Sequence, residues 1–109
     1  MAIKIYKHIV LLLFAFMLVS FIVQAKPKTK TLHGHNLNGF ARAKIKNETI
    51  KDLACWVAID GHKYKFRLPA YSESKWFTAK NKNFSYAHFS SWCDYLEFYP
   101  NYQQYTRGN

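Results

Sequence analysis

Residues 53–68, LACWVAIDGHKYKFRL, decide the fold, because they predict two β-strands joined by a tight turn. Runs rich in β-branched and aromatic residues flank Asp60-Gly61, and Asp-Gly in that context favours a two-residue type I′ turn, which needs positive φ at both positions. If those two residues form the loop, Ile59 pairs with His62, and every later pair follows by counting outward. We therefore predict an antiparallel hairpin of defined register.

This register gives the hairpin two different faces, since side chains alternate along a strand. One face carries Cys55 and most of the large apolar side chains, and it is predicted to face the core. The other face is basic around one large aromatic side chain, with Trp56 opposite Lys65, and with Lys63 and Arg67 on either side along the second strand. Of all features in the sequence, this basic face indicates a binding function most directly.

Residues 1–25 have the pattern of an export signal. Two lysines precede an apolar run, residues 9–23, which is shorter than the roughly 20 residues that a spanning helix needs. Val23-Gln24-Ala25 then supplies the small residues of a signal peptidase site. We predict cleavage after Ala25 and a periplasmic or extracellular protein without a stable membrane span, with a short uncleaved anchor as the alternative.

Removing 25 of the 109 residues leaves 84, which is one domain near the lower size limit for unaided folding. Two of the 16 Lys and Arg residues lie in the signal, so 14 stand against six acids and the mature net charge is +8. A chain with this charge is attracted to anions.

Cys55 and Cys93 are the two cysteines of the sequence. An even count in a small exported domain favours a disulfide over a metal site or a reactive thiol, and two reduced buried cysteines are the alternative. The bond would close a loop of about 39 residues, worth roughly 4 kcal/mol of unfolded-chain entropy. We therefore predict a Cys55–Cys93 disulfide.

The segments before the hairpin differ in their patterns. Residues 40–46, FARAKIK, alternate between apolar and basic and predict a half-buried strand, whereas residues 26–38 lack an apolar period and predict a flexible leader. His33 and His35 lack further ligands nearby, so no metal ion or cofactor is predicted. Two N-glycosylation sequons, which matter only in a host that glycosylates, begin at the residues Asn47 and Asn83.

The segments after the hairpin are less regular. Residues 75–79, KWFTA, have strand composition and are predicted to pair back onto the sheet. Residues 84–99 fit a helix or a strand, and their aromatic density favours a strand over residues 91–98, preceded by a loop or a short turn of helix. That strand turns Cys93 away from its apolar face, so that the cysteine bridges from an edge or a bulge. Residues 101–109 are predicted to form a polar tail.

Together these segments predict a single mainly β domain over residues 39–100. Its expected architecture is a small antiparallel β-sandwich or partly open barrel of about five to seven strands with one disulfide. An α+β domain with one short C-terminal helix is the alternative. The sequence does not specify the oligomeric state.

The basic faces of the predicted strands suggest an anion-binding module. Basic side chains interleaved with an aromatic platform suit phosphate, sulfate or uronate groups. The expected partners are lipopolysaccharide, acidic glycan, anionic lipid or nucleic acid. The candidate ligands are Trp56, Lys63, Lys65, Arg67, Arg42, Lys44 and Lys46. In the alternative interpretation these charges only protect a solvated sheet face, and the C-terminal aromatic segment covers the tryptophan.

Two further functions compete with anion binding. The aromatic density also suits a protein-interaction or inhibitor domain, and its partner would be acidic because this chain is basic. A small ribonuclease-like enzyme could use His62 and His88 with Glu73 or Glu97 as proton-transfer groups. No nucleophile or phosphate-loop motif accompanies them, so we expect no enzyme and assign no catalytic residue.

Overall fold

The computed structural model describes residues 25–109, so the predicted export signal before Ala25 lies outside the described residues. Six strands form its regular structure: β1 (Thr29–His35), β2 (Ala41–Asn47), β3 (Leu53–Ile59), β4 (His62–Leu68), β5 (Phe77–Thr78) and β6 (Phe89–Tyr95). Short 3-10 helices span Tyr86–His88, Leu96–Phe98 and Pro100–Gln104. None of the helices in this part of the chain has the length and hydropathy that crossing a bilayer requires.

The strands form two antiparallel three-stranded sheets that pack face to face. The first sheet has the order β1-β2-β5 and the second has the order β4-β3-β6. Their inner faces share one core, to which Ile45 and Phe77 contribute from the first sheet and Leu53, Val57 and Phe66 from the second. The sheets do not close into a barrel. The predicted mainly β fold with one disulfide is thus confirmed in its sandwich form.

The β3–β4 hairpin has the predicted register. Asp60 and Gly61 have φ values of 49° and 82°, so both adopt the positive φ that a two-residue type I′ loop requires. Every pair from Ile59–His62 outward to the strand ends matches the count from the turn. The predicted strand at 40–46 is also confirmed, since β2 alternates in burial along its length. Of the predicted strand at 75–79 only Phe77–Thr78 is formed, and this short strand pairs with β2.

The Cys55–Cys93 disulfide joins directly opposed residues of β3 and β6. The bond is confirmed, and as predicted Cys93 points away from Trp92 and bridges from an edge strand, since β6 is at the edge of its sheet. Cys93 packs against the inter-sheet core. The sequence did not predict that this face is apolar as well, because both faces of the second sheet are covered and Trp92 and Leu96 lie in a second cluster on the outer face.

The C-terminal segment covers the outer face of the second sheet. The predicted strand ends at Tyr95 instead of residue 98, and residues 101–109, predicted as a polar tail, are part of the domain. Tyr102 is buried, and it packs against Ala54 of β3. Further on, the N–H of Gly108 donates to the carbonyl of Arg67 at 2.8 Å. The tail prediction is wrong because aromatic side chains spaced among its polar residues bury against the sheet.

The predicted flexible leader is also wrong, because residues 26–38 contain β1. This strand pairs with β2 over seven residues, from Thr29–Asn47 to His35–Ala41. Its side chains are mostly exposed, so no apolar period marks it in the sequence. An edge strand of this kind is stabilised by its backbone hydrogen bonds. The folded domain therefore begins well before residue 39.

One side of the sandwich exposes two long edge strands. β1 lies over β6, with Thr31 Oγ1 3.5 Å from Ser91 Oγ and the His33 ring 6.2 Å from the Phe89 ring. On the other side, the backbone of residues 106–108 pairs with β4, and β5 is only two residues long. The sandwich thus has one open side and one covered side.

Asn47 joins the connections at one end of the sandwich. Its side chain is fully buried, and Nδ2 donates to the carbonyls of Lys51, Leu68 and Pro69 at 2.8–3.2 Å. Its Oδ1 accepts from the N–H and the hydroxyl of Thr49. The first sequon is therefore a structural motif in the folded domain, whereas Asn83 of the second is exposed.

Replacing the Asn47 amide by a carboxyl group should destabilise the fold strongly. Asn47→Asp removes the Nδ2 donors and places a buried acid against three carbonyl oxygens, so we expect the free energy of unfolding to fall by about 3 kcal/mol. Asn83→Asp, the same change at the exposed sequon, should cost less than about 0.5 kcal/mol. Chemical denaturation of the two oxidised variants makes the comparison, and equal losses would contradict this role for Asn47.

Removing the disulfide should destabilise the domain through its unfolded state. Cys55→Ala with Cys93→Ala frees a loop whose ends are 38 residues apart, and we expect a loss of roughly 4 kcal/mol. Denaturation of this variant beside the oxidised parent measures the loss. A loss below about 1 kcal/mol would show that the bond adds little to a pairing that the strands already hold.

Candidate functional site

The predicted anion ligands lie on two opposite surfaces of the sandwich. One group projects outward from β2 in the first sheet, and it comprises Arg42, Lys44 and Lys46. The other projects outward from β3 and β4 in the second sheet, and it comprises Trp56, Lys63, Lys65 and Arg67. Because the inner faces of the sheets pack together, the two groups cannot form one site. Trp56 therefore lies beside the basic residues of β4 and not beside those of β2, which belongs to the other sheet.

The surface of the second sheet, here called the Trp56 face, combines two tryptophans with two lysines. Trp56 and Trp92 are directly opposed on β3 and β6, and their nearly parallel rings have centroids 6.4 Å apart. Lys63 Nζ lies 4.5 Å from the centroid of the Trp56 ring. Lys65 is the partner of Trp56 on β4, and both lysines are exposed. A cationic strip therefore runs beside an aromatic strip.

The aromatic strip continues into the C-terminal segment. The Trp92 ring lies 5.0 Å from Tyr99 and 6.2 Å from Tyr102, and Tyr102 lies 5.1 Å from Tyr105. Burial, together with these neighbouring phenols, raises the pKa of Tyr102, so its hydroxyl stays neutral well above physiological pH. The segment thus packs on Trp92, while Trp56 stays half-buried at the end of the strip.

Arg67 has a structural role on this face. Its Nε donates to the Tyr105 carbonyl at 2.8 Å, and its Nη1 donates to the Gln103 side-chain oxygen at 3.4 Å. The guanidinium therefore holds the C-terminal segment on the sheet. In residues 25–109 the ion pairs involve other lysines, so Lys63 and Lys65 are the uncompensated cations of the Trp56 face.

The surface of the first sheet, here called the Trp76 face, has a tryptophan that the sequence analysis missed. Trp76 packs over Gly34 of β1, where an added Cβ would lie 3.7 Å from the ring. The Arg42 guanidinium lies 4.2 Å and Lys44 Nζ 4.8 Å from the ring centroid. The sequence signal was the alternation of Trp76 with the buried Phe77, which turns the tryptophan outward.

One acidic side chain, Glu73, neutralises part of the positive charge of the Trp76 face. Glu73 accepts a 2.9 Å hydrogen bond from Lys44, and this bond and the charge of Lys44, with a smaller effect of Lys46, lower the pKa of Glu73. Lys30 and Lys46 are directly opposed on β1 and β2. Like charges in that position repel each other.

The residues considered for a ribonuclease-like site have separate partners. Glu73 pairs with Lys44, and Glu97 pairs with Lys51 at 2.9 Å. His88 Nδ1 accepts the N–H of Ser85 at 2.9 Å, which caps the short helix before β6. Across the described residues no group of three His, Cys, Asp or Glu side chains could hold a metal ion, and this includes the segment with His33 and His35.

Comparison of the chain with protein-family models, curated proteins and solved structures finds no match. The Trp56 and Trp76 faces, with their basic and aromatic side chains, are therefore the features that indicate a function.

The two tryptophans of the Trp56 face should differ in their effect on stability. Trp92→Ala removes a ring that packs between Trp56 and the C-terminal tyrosines, so we expect a loss of about 3 kcal/mol in the free energy of unfolding. Trp56→Ala should cost roughly 1 kcal/mol, because that ring is partly exposed at the end of the strip. Denaturation curves for both variants test this order, and a larger loss from Trp56→Ala would make Trp56 a core residue.

Proposed function

We propose that this domain is a small exported binding module that attaches to an acidic glycan through the Trp56 face. The observation that carries the proposal is a pair of exposed lysines, which have no acidic partner among residues 25–109, beside the stacked Trp56 and Trp92 rings. A carboxylate or sulfate group would pair with the lysines, and the flat part of a sugar would lie on the half-buried aromatic surface.

Charge supports an anionic ligand. Lys63 and Lys65 project from the same face of β4, which separates their Cα atoms by about 7 Å. The two positive charges repel each other, and an anion bound near both removes that repulsion. The Lys63 ammonium also lies over the Trp56 ring, so an anion paired with this lysine is brought directly to the aromatic surface.

The distribution of exposed apolar groups favours a polymer over a bilayer. The large apolar side chains that are most exposed lie outside the six strands, and they are Leu37, Ile50, Tyr71, Tyr86 and Phe98. Trp56 and Trp92, in contrast, are half-buried in the sheet surface. A face of this kind offers stacking and ion pairing but no protruding apolar group to insert between lipids.

The predicted export favours a glycan over nucleic acid, because acidic glycans are abundant anionic polymers outside the cytoplasm. The Cys55–Cys93 disulfide is compatible with such an oxidising compartment. An acidic protein partner would also be attracted to the lysines, and direct measurement of glycan binding distinguishes the two partner classes.

Substitutions on the Trp56 face should weaken binding to heparin, a sulfated polysaccharide, and to polygalacturonate, a carboxylated one. Trp56→Ala should reduce affinity about tenfold or more through lost stacking, and Lys63→Gln with Lys65→Gln should reduce both affinity and its dependence on salt. Binding is measured by titration at two salt concentrations.

The matched control is Lys80→Gln with Lys82→Gln, which removes the same charge from the loop between β5 and β6. This variant should bind nearly as the parent does. Tighter, Trp56-dependent binding to single-stranded DNA or to anionic vesicles would reassign the ligand class. Equal weakening by the control pair, or no salt-sensitive binding to either glycan, would overturn the proposal and leave an acidic protein as the partner to seek.

A further inference from the structure

Both outer surfaces of the sandwich have the same chemistry. Each has a tryptophan held among basic side chains: Lys63 lies over Trp56 on one surface, and Arg42 and Lys44 lie against Trp76 on the other. From this repetition we infer that the domain is bivalent, with the Trp76 face as a second site for the same acidic polymer. This inference rests on the proposed function of the Trp56 face and adds that one domain joins two polymer chains.

The acids and the bases of the domain occupy different places. Most of the acids lie in the connections at the ends of the sandwich or beyond β6, and these are Glu48, Asp52, Asp60 and Glu97. In the part of the chain that the structure describes, the outer surfaces keep only Asp94 on β6 and Glu73 beside Lys44. The charge is therefore segregated by position, since the sheet surfaces are basic on both sides and the ends are mixed.

The Trp76 face keeps positive charge after its internal pairing. Glu73 pairs with Lys44 and lies beside Lys46, so it offsets one of the four positive charges of Lys30, Arg42, Lys44 and Lys46. The Arg42 guanidinium is held by the Trp76 ring, and its Nε is buried without a hydrogen-bond partner in the described chain. The opposed Lys30 and Lys46 add the repulsion of a like-charge cross-strand pair, which an anionic group above the two strands would relieve.

The two faces are too far apart for one bound group to contact both. Stacked sheets are separated by about 10 Å, and the side chains that form each face extend further outward on opposite sides. A polymer segment on the Trp56 face therefore leaves the Trp76 face open to a second segment. In this arrangement a single domain needs no partner copy to cross-link two chains.

A two-step capture experiment tests bivalency. The protein is loaded onto immobilised heparin at low salt, the excess is washed away, and soluble fluorescent heparin is then added. The parent should retain the second polymer on the surface, and so should the Lys80→Gln, Lys82→Gln control, because both keep two intact faces.

Variants altered on one face should still bind immobilised heparin but should no longer capture the soluble fluorescent heparin. Lys63→Gln with Lys65→Gln alters the Trp56 face, and Lys30→Gln with Lys46→Gln alters the Trp76 face. For each we expect at least a fivefold drop in retained fluorescence per molecule of bound protein, with melting temperatures near that of the parent. A drop of this size from both pairs supports two independent sites.

Three outcomes overturn the inference in distinguishable ways. Parent protein that binds the surface but retains no second polymer has a single site, and the proposed function then stands alone. Unchanged capture by the Lys30→Gln, Lys46→Gln variant assigns cross-linking to the Trp56 face of an oligomer and makes the Trp76 face a solvated surface. Failure of the parent to bind the first polymer removes the proposed function, and the bivalency with it.

Discussion

The positive φ of Asp60 and Gly61 is the local constraint on which the rest of the domain depends. A two-residue turn leaves one register for β3 and β4, and β3 is the central strand of its sheet. That register turns Cys55 toward the core, where it meets Cys93, and turns Trp56 outward beside Trp92. A shift by one residue would exchange the two faces, burying lysines and exposing the core side chains, so the alternative pairing is strongly disfavoured.

The sequence predicted the elements whose signals are local. The hairpin follows from its turn, the alternation of β2 from a residue pattern of period two, and the disulfide from the cysteine count. The errors about residues 26–38 and 101–109 share a physical cause, which is stabilisation by contacts with strands that are distant in sequence. β1 is held by backbone pairing with exposed side chains, and the segment around Tyr102 buries only every third side chain against a distant strand.

The candidate ligands were identified by residue type, but their grouping depended on sheet order. Arg42 and Lys65 both project from basic strand faces, and only the assignment of β2 and β3 to different sheets shows that they point in opposite directions. Trp76 escaped notice because β5 is two residues long and gives almost no periodicity. Alternation within one strand is encoded locally, whereas the partner of that strand is a property of the whole chain.

The unequal sides of the sandwich limit how copies of the domain could associate through their backbones. Growth of a fibre by strand addition needs two complementary edges on opposite sides of each molecule. Here the long open edges, β1 and β6, lie together on one side, while the backbone of residues 106–108 occupies β4 on the other. Edge-to-edge pairing between two copies would occupy the open side of both molecules and form a closed two-fold dimer. The geometry therefore disfavours unlimited polymerisation.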